Sequence, residues 1–191
     1  MAKSIVQSAS LQRIARAAAD YPAMLRSRLG ENAPAGLTVL GDASLLRTPR
    51  TALFCSARTP GDAILRAHDS ARRMRDEGVT VISGFHSPLE KECLRILLRG
   101  KQTVIICPAR AIETMRIQNE IRVAFDAGRV LFLSPFTGQP KRITKDSALH
   151  RNDVVAALAD DVYFAHVSPG GETARIAQMI EAWRVPNVSG A

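Results

Sequence analysis

Short apolar runs alternate with amphipathic segments from residue 51 onward. The run from Val104 to Ile106 is apolar at every position, which is typical of a strand covered on both faces. Between such runs, residues such as Ile64, Ala67, Ala71 and Met74 recur with the period of a helix. The pattern predicts strands at 51–55, 79–83, 103–107, 130–133 and 162–165, and helices at 61–77, 89–99, 117–127, 148–159 and 174–183.

The alternation of strands and helices predicts an α/β fold, an open Rossmann-like three-layer sandwich with a mainly parallel sheet. A short helical extension precedes it, because the apolar positions Ile5, Leu11, Ile14, Ala15 and Ala18 favour one amphipathic helix and residues 22–29 a second. A lone strand is expected at 37–40. We divide the chain into an N-terminal extension (1–35), a Rossmann-like domain (36–184) and a tail (185–191) that we expect to fray.

The most informative stretch is the segment from Ser168 to Thr173, with the sequence SPGGET. It follows the last predicted strand and opens the last predicted helix. A glycine-rich turn in that position leaves backbone N–H groups unpaired at the positive end of a helix dipole, which suits an anion. The same order of strand, small turn and helix recurs after residues 55 and 83.

The carboxyl ends of parallel strands form the ligand-binding edge of such sheets. We therefore predict a phosphate-binding rim along this edge. Its predicted members are Ser56, Arg58, Ser83, Gly84, Arg151, Asn152, Ser168, Gly170, Gly171 and Thr173.

Several of these residues have a second interpretation. Arg58 either holds a phosphate with its planar guanidinium or packs over the sheet edge against a surface carboxylate. Gly84 either permits close approach of a ligand or only makes a turn. Arg151 and Asn152 either bind a phosphate and orient a base or ribose, or serve as helix-capping and surface residues. His86 is better explained as a polar loop residue than as an acid–base group.

The carboxylates give a weaker indication of chemistry. Glu172 lies inside the glycine-rich turn and is the alternative catalytic residue, acting on a ribose or a water. Glu90 and Glu92 are candidate partners, but complementing the N-terminus of their own helix explains them better. The sequence contains no Walker loop, no GxGxxG after the first core strand and no nucleophile elbow. We therefore favour a binding protein over an enzyme and assign no catalytic residue.

The net charge of +8 favours a polyanionic partner, although phosphorylated small molecules explain it equally well. An aromatic content of 5% indicates that contacts to DNA would be mainly to its backbone. Cys55, Cys93 and Cys107 lack metal-ligand spacing, so we expect reduced thiols, a cytoplasmic location, and neither metal nor cofactor. Neither a secretory signal nor an apolar run of about 20 residues is present, so no membrane association is expected.

Taken in order, the motifs resemble those of the DNA-processing protein A (DprA/Smf) family. The resemblance extends over about residues 21–180, and the order and spacing of the motifs carry it. The matching stretches are Tyr21 to Leu25, Leu37 to Asp42, Ser56-Ala57-Arg58, Ser83 to His86, Arg151 to Ala159, and Ser168 to Ala174.

This resemblance implies a Rossmann-like domain whose basic rim binds single-stranded DNA and serves DNA processing, uptake or recombination. It also implies a homodimer and a RecA-type recombinase as partner. The Ala-Arg-Gly of the family's second signature is replaced by His86-Ser87-Pro88, and we expect no C-terminal winged helix. We therefore expect a divergent or minimal member.

The wider superfamily leaves a second function open. It includes nucleotide-binding sensors and lonely-guy phosphoribohydrolases, which split nucleoside monophosphates and carry a Pro-Gly-Gly-x-Gly-Thr-x-x-Glu turn. The turn from Pro169 to Thr173 is similar but one residue shorter, and Ala177 and Gln178 stand where the downstream glutamate is expected. A small-nucleotide site in the same rim is therefore the alternative.

Overall fold

The computed structural model describes residues 11–56 and 59–189. Within them, seven strands form one sheet that is flanked by helices on both faces. The strands are β1 Leu11–Ala15, β2 Gly36–Leu40, β3 Thr51–Cys55, β4 Val81–Ser83, β5 Val104–Ile106, β6 Val130–Ser134 and β7 Asp161–His166. The helices are α1 Ala23–Leu29, α2 Gly61–Asp76, α3 Pro88–Leu98, α4 Asn119–Asp126, α5 Lys145–Leu158 and α6 Glu172–Ala182.

The strand order in the sheet is β1-β2-β6-β5-β4-β3-β7. The five strands from β6 to β7 run parallel, while β2 pairs antiparallel with both β1 and β6. From β3 the chain first proceeds towards β6 and then returns to place β7 on the other side of β3. This reversal creates a crevice beyond the carboxyl ends of β3 and β7, which is where open α/β sheets bind ligands.

Alternate residues of the central strands enter two apolar layers. In β3, Ala52 and Phe54 face the layer beneath α1, α5 and α6, whereas Leu53 and Cys55 face the layer beneath α2 and α3. Phe54 stacks on Phe164 of β7, with ring centroids 5.7 Å apart. Burial of a large aliphatic or aromatic side chain contributes about 1.5–3 kcal/mol, so this double layer fixes the edge on which the site is built.

The predicted α/β class, the three-layer arrangement and the mainly parallel sheet are confirmed. The strand β3 has the predicted bounds. The strand β4 begins two residues later than predicted, and β5 is one residue shorter at each end. The second helix of the N-terminal extension is also confirmed, as α1.

The first predicted helix is wrong in its described part, since Leu11–Ala15 forms β1; its remaining predicted residues up to position 10 lie outside the described residues. Leu11 pairs with Leu40 and Ala15 with Gly36. Only Ile14 is buried in this strand. The spacing of apolar residues fits either structure, and pairing with the open edge of β2 decides in favour of the strand because it satisfies backbone groups of both segments.

The tail is ordered along β7 in its described part, contrary to the expected fraying. Val188 N donates to Val162 O at 2.9 Å, and Phe164 N donates to Ser189 Oγ at 2.7 Å. Val185 is buried against the core. The division of the chain at residues 35 and 184 stays a prediction. No helix among the described residues is long and apolar enough to cross a membrane.

Candidate functional site

A cavity of about 390 Å³ opens where β3 and β7 end. It lies between the N-terminal part of α6, one face of α5 and the loop after β4. Six of the predicted rim residues line it: Ser56, Arg151, Asn152, Ser168, Gly171 and Thr173. Segments distant in sequence therefore meet at one edge of the sheet, as the motif order predicts.

The other predicted residues occupy different places. Ser83 is fully buried, and its Oγ accepts a hydrogen bond from Phe85 N at 3.3 Å. Gly84 lies under Arg151 rather than in the cavity wall. Gly170 is exposed, with a φ of 67°, and shapes the turn from outside the cavity wall. Arg58 lies outside the described residues.

Two hydroxyl groups join the ends of β3 and β7 to α6. Ser56 Oγ donates to His166 O at 2.8 Å and lies 2.7 Å from Thr173 Oγ1. Because Ser56 has a single hydroxyl proton, Thr173 must donate in the contact between them. Ser168 N in turn donates to Ser56 Oγ at 3.2 Å. Ser56 and Thr173 are buried, so they hold the glycine-rich turn against the sheet.

The Glu90 carboxylate binds backbone N–H groups at the ends of β3 and β4, where the sequence predicts a bound phosphate. Its carboxylate accepts hydrogen bonds from the backbone N–H groups of Cys55 (3.2 Å), His86 (2.8 Å) and Ser87 (3.1 Å). Glu90 is also the N3 residue of a capping box with Ser87, which confirms the helix-terminal role. Since a carboxylate from the chain itself satisfies these donors, they are not available to an external phosphate.

Gly84 is required by the position of Arg151. A Cβ at Gly84 would lie 1.6 Å from Arg151 Nη1. The arginine is 4% exposed, its Nη1 donates to Cys107 O at 3.0 Å, and its Nε donates to Asn152 Oδ1 at 2.8 Å. Arg151 is therefore a buried cation with fixed geometry, and not the surface or capping residue of the second interpretation.

Glu172 lines the cavity and belongs to a network of polar and charged side chains. Arg175 Nη2 donates to Glu172 Oε1 at 2.7 Å, and Arg175 Nε donates to Oε2 at 2.9 Å. Asn152 Nδ2 donates to Oε1 at 3.3 Å. The hydrogen bonds to Glu172, followed by those to Asp153, raise the pKa of the Arg175 guanidinium. Arg175 is not among the residues predicted from the sequence, although its i,i+3 spacing from Glu172 is a recognisable signal.

The described lining of the cavity is not basic. It contains the carboxylates of Glu90 and Glu172 and the guanidinium of Arg151. Positive charge instead follows outside, where Lys141, Arg142 and Lys145 are exposed in and after the loop that enters α5. The described lining of the cavity and the loop that enters α5 therefore differ in electrostatic character.

The cysteines are unsuited to metal binding or nucleophilic chemistry. All three are free and buried. The hydrogen bond with Cys93, followed by burial, raises the pKa of the Cys55 thiol, and burial raises that of Cys107 to about 12. No cluster of His, Cys, Asp and Glu suited to a metal ion exists in the described part of the chain.

Two solved structures share the fold over nearly the whole chain. DNA processing protein A of Streptococcus pneumoniae matches with a TM-score of 0.76 and 17% identity over 95% of this chain. DNA processing protein A of Helicobacter pylori, whose structure concerns its mode of binding single-stranded DNA, matches with a TM-score of 0.73 and 20% identity over 93% of it. The alignments cover 62% and 79% of those two chains. No curated protein matches the sequence.

The family assignment rests on the sequence itself. The model of the DNA recombination-mediator protein A family matches residues 12–178. That span contains β2 to β7, all of β1 except Leu11, and every residue of the cavity wall named above. It also confirms the family that the order of the motifs predicts. The chain belongs to the DNA recombination-mediator protein A family.

Proposed function

We propose that this protein binds single-stranded DNA at the cavity and along the basic rim around it, in a process of DNA handling or recombination. The observation that carries the proposal is the convergence of Arg151, Asn152 and the turn from Ser168 to Thr173 at one cavity in a member of this family. The related H. pylori protein is described as binding single-stranded DNA.

The phosphates are assigned to the mouth of the cavity rather than to its interior. The first turn of α6 offers backbone N–H groups there, and Gly171 leaves the approach open because it has no side chain. Arg58, two positions beyond Ser56 in the sequence, stays a proposed phosphate-binding residue. Lys141 and Arg142 extend the positive charge along the loop before α5.

A titration of a fluorescent oligothymidine of about 16 nucleotides tests the proposal. Affinity is expected to fall steeply as salt rises, because bound phosphates release counterions. Arg58→Ala should weaken binding and reduce the magnitude of the salt slope by about 1. The matched control is Arg122→Ala on α4, an exposed arginine whose loss changes the net charge equally. Absence of binding at low salt, or equal weakening in both variants, would contradict the proposal.

A small-nucleotide ligand is the second candidate, favoured by the size of the cavity, which falls in the range typical of small-molecule sites. Stabilisation of the fold by a few kcal/mol in the presence of a nucleoside monophosphate, without DNA binding, would support it. Release of free base, abolished in Glu172→Ala, would further indicate hydrolysis. The hydrogen bonds that tie Glu172 to Arg175 and Asn152 favour binding over catalysis.

The remaining expectations concern the cellular location, the oligomeric state and the protein partner. A cytoplasmic location, a homodimer and a RecA-type recombinase as partner are proposed from the family resemblance. Analytical ultracentrifugation tests the dimer, and co-sedimentation with a purified recombinase on single-stranded DNA tests the partner. A monomer at all concentrations, or no co-sedimentation, would remove the respective proposal.

A further inference from the structure

We propose that single-stranded DNA continues from the cavity along the outer face of α3, where Lys91, Arg95 and Arg99 bind its phosphates. These three residues form what we call the α3 stripe. The ligand is that of the proposed function, on which this inference rests. The stripe adds a second surface outside the cavity and a direction in which the strand leaves it.

The three cations lie on one line along the surface of α3. All three are exposed and follow each other at intervals of four residues, which places them on one face of the helix. Arg99 is the C-cap residue and keeps helical backbone angles. With a rise of about 1.5 Å per residue, the stripe is about 12 Å long. Phosphates of a stacked strand follow each other at about 3.4 Å, so the stripe spans several nucleotides.

The stability of α3 does not explain the stripe. Like charges at i,i+4 repel each other and destabilise a helix, and the stripe contains two such pairs. The helix dipole favours Arg95 and Arg99 near the C-terminus, but it opposes a cation at Lys91, directly after the first turn. An external anion that binds all three side chains would offset this repulsion.

The neighbouring helix α2 shows the opposite arrangement of charges. Arg66 Nη1 pairs with Asp62 Oδ2 at 2.6 Å, at the i,i+4 spacing that stabilises a helix. Among the described residues, by contrast, Lys91 and Arg99 form no ion pair. Their charge is therefore available to a polyanion, whereas that of α2 is neutralised within the chain.

The carboxylates next to the stripe do not cancel its charge. Glu92 Oε2 lies 2.8 Å from His68 Nε2, so this side chain is directed towards α2. Glu120 Oε2 lies 3.4 Å from Arg95 Nε, and both side chains are about half exposed. Because an exposed ion pair of this kind contributes little, a phosphate can take the place of the Glu120 carboxylate.

The stripe begins beside the cavity. Ser87, the N-cap of α3, and Glu90, in its first turn, line the cavity, and Lys91 is the next residue. The helix then runs back towards the amino ends of the strands, because it connects the parallel strands β4 and β5. A strand of DNA held at the cavity therefore meets Lys91 first and then Arg95 and Arg99.

Two oligothymidines, of about 4 and about 16 nucleotides, provide the test by fluorescence anisotropy at low salt. Only the longer one can occupy the cavity and cover the stripe together. In Lys91→Ala/Arg99→Ala it should bind about tenfold less tightly, and the magnitude of its salt slope should fall by about 1–2. The short one should bind as it does to the wild type. The variant should fold at least as stably, because alanine favours a helix and the repulsion is removed.

The control is Arg66→Ala/Arg72→Ala, which removes the same charge from two exposed arginines of α2. It should leave both affinities unchanged. Undiminished binding of the long oligonucleotide by the α3 variant overturns the inference, as does an equal loss at both lengths or an equal loss in the control. Failure of the wild type to bind either oligonucleotide would instead remove the proposed function. Equal wild-type affinity for both lengths would end the DNA at the cavity and remove the stripe alone.

Discussion

At the scale of single residues, the site depends on where carboxylates and glycines stand relative to Arg151. The sequence predicts a cluster of open N–H groups, yet Glu90 binds three of them and Arg151 fills the space above Gly84. Residue types alone could not reveal this, because Glu90 acts on Cys55 from 35 positions away. The contact depends on how β3 and α3 pack.

Gly84→Ala tests the packing of Arg151. The new Cβ would overlap the guanidinium, which is buried and cannot move into solvent without losing its bond to Cys107 O. We expect a loss of about 1–3 kcal/mol in the free energy of unfolding, measured by denaturant titration. Gly61→Ala is the control, because no atom lies within 4 Å of its added Cβ. Equal stability of the two variants would show that Arg151 does not depend on this glycine.

At the scale of elements, the sequence predicts the buried strands and the long helices well, because their apolar periods leave little ambiguity. The strand β3 and the helix α2 agree with prediction almost to the residue. The strand β1 was missed since its apolar spacing also fits a helix, and only pairing with β2 distinguishes the two. The spacing of apolar residues identifies a strand that is buried on both faces, but it is ambiguous for a strand at the edge of the sheet.

Truncation of the two large aliphatic side chains of β1 should lower stability by different amounts. Ile14 is 4% exposed and packs in the core, so Ile14→Ala should cost about 2–4 kcal/mol of stability. Leu11 is 43% exposed, so Leu11→Ala should change stability by about 0.5 kcal/mol or less. Denaturant titration of both variants provides the measurement. Similar losses at both positions would contradict a strand with one buried face.

At the scale of the whole molecule, the order of the strands brings the site together. Placing β7 beside β3 sets the turn from Ser168 to Thr173 against Ser56, although 112 positions separate Ser168 from Ser56. The sequence predicts the edge of the sheet, because parallel strands share it. It does not predict that the described lining of the cavity carries two carboxylates and one guanidinium while the loop before α5 is basic. Formal charge summed over the chain carries no information about that division.

DNA binding at the cavity is tested most directly by a map of backbone amide chemical shifts of the 20.7 kDa protein titrated with the same oligothymidine. The largest changes are expected on the turn from Ser168 to Thr173 and on Arg151 and Asn152, with smaller changes along Lys141 and Arg142. Changes centred on β1 or α4, with the cavity residues unaffected, would contradict it.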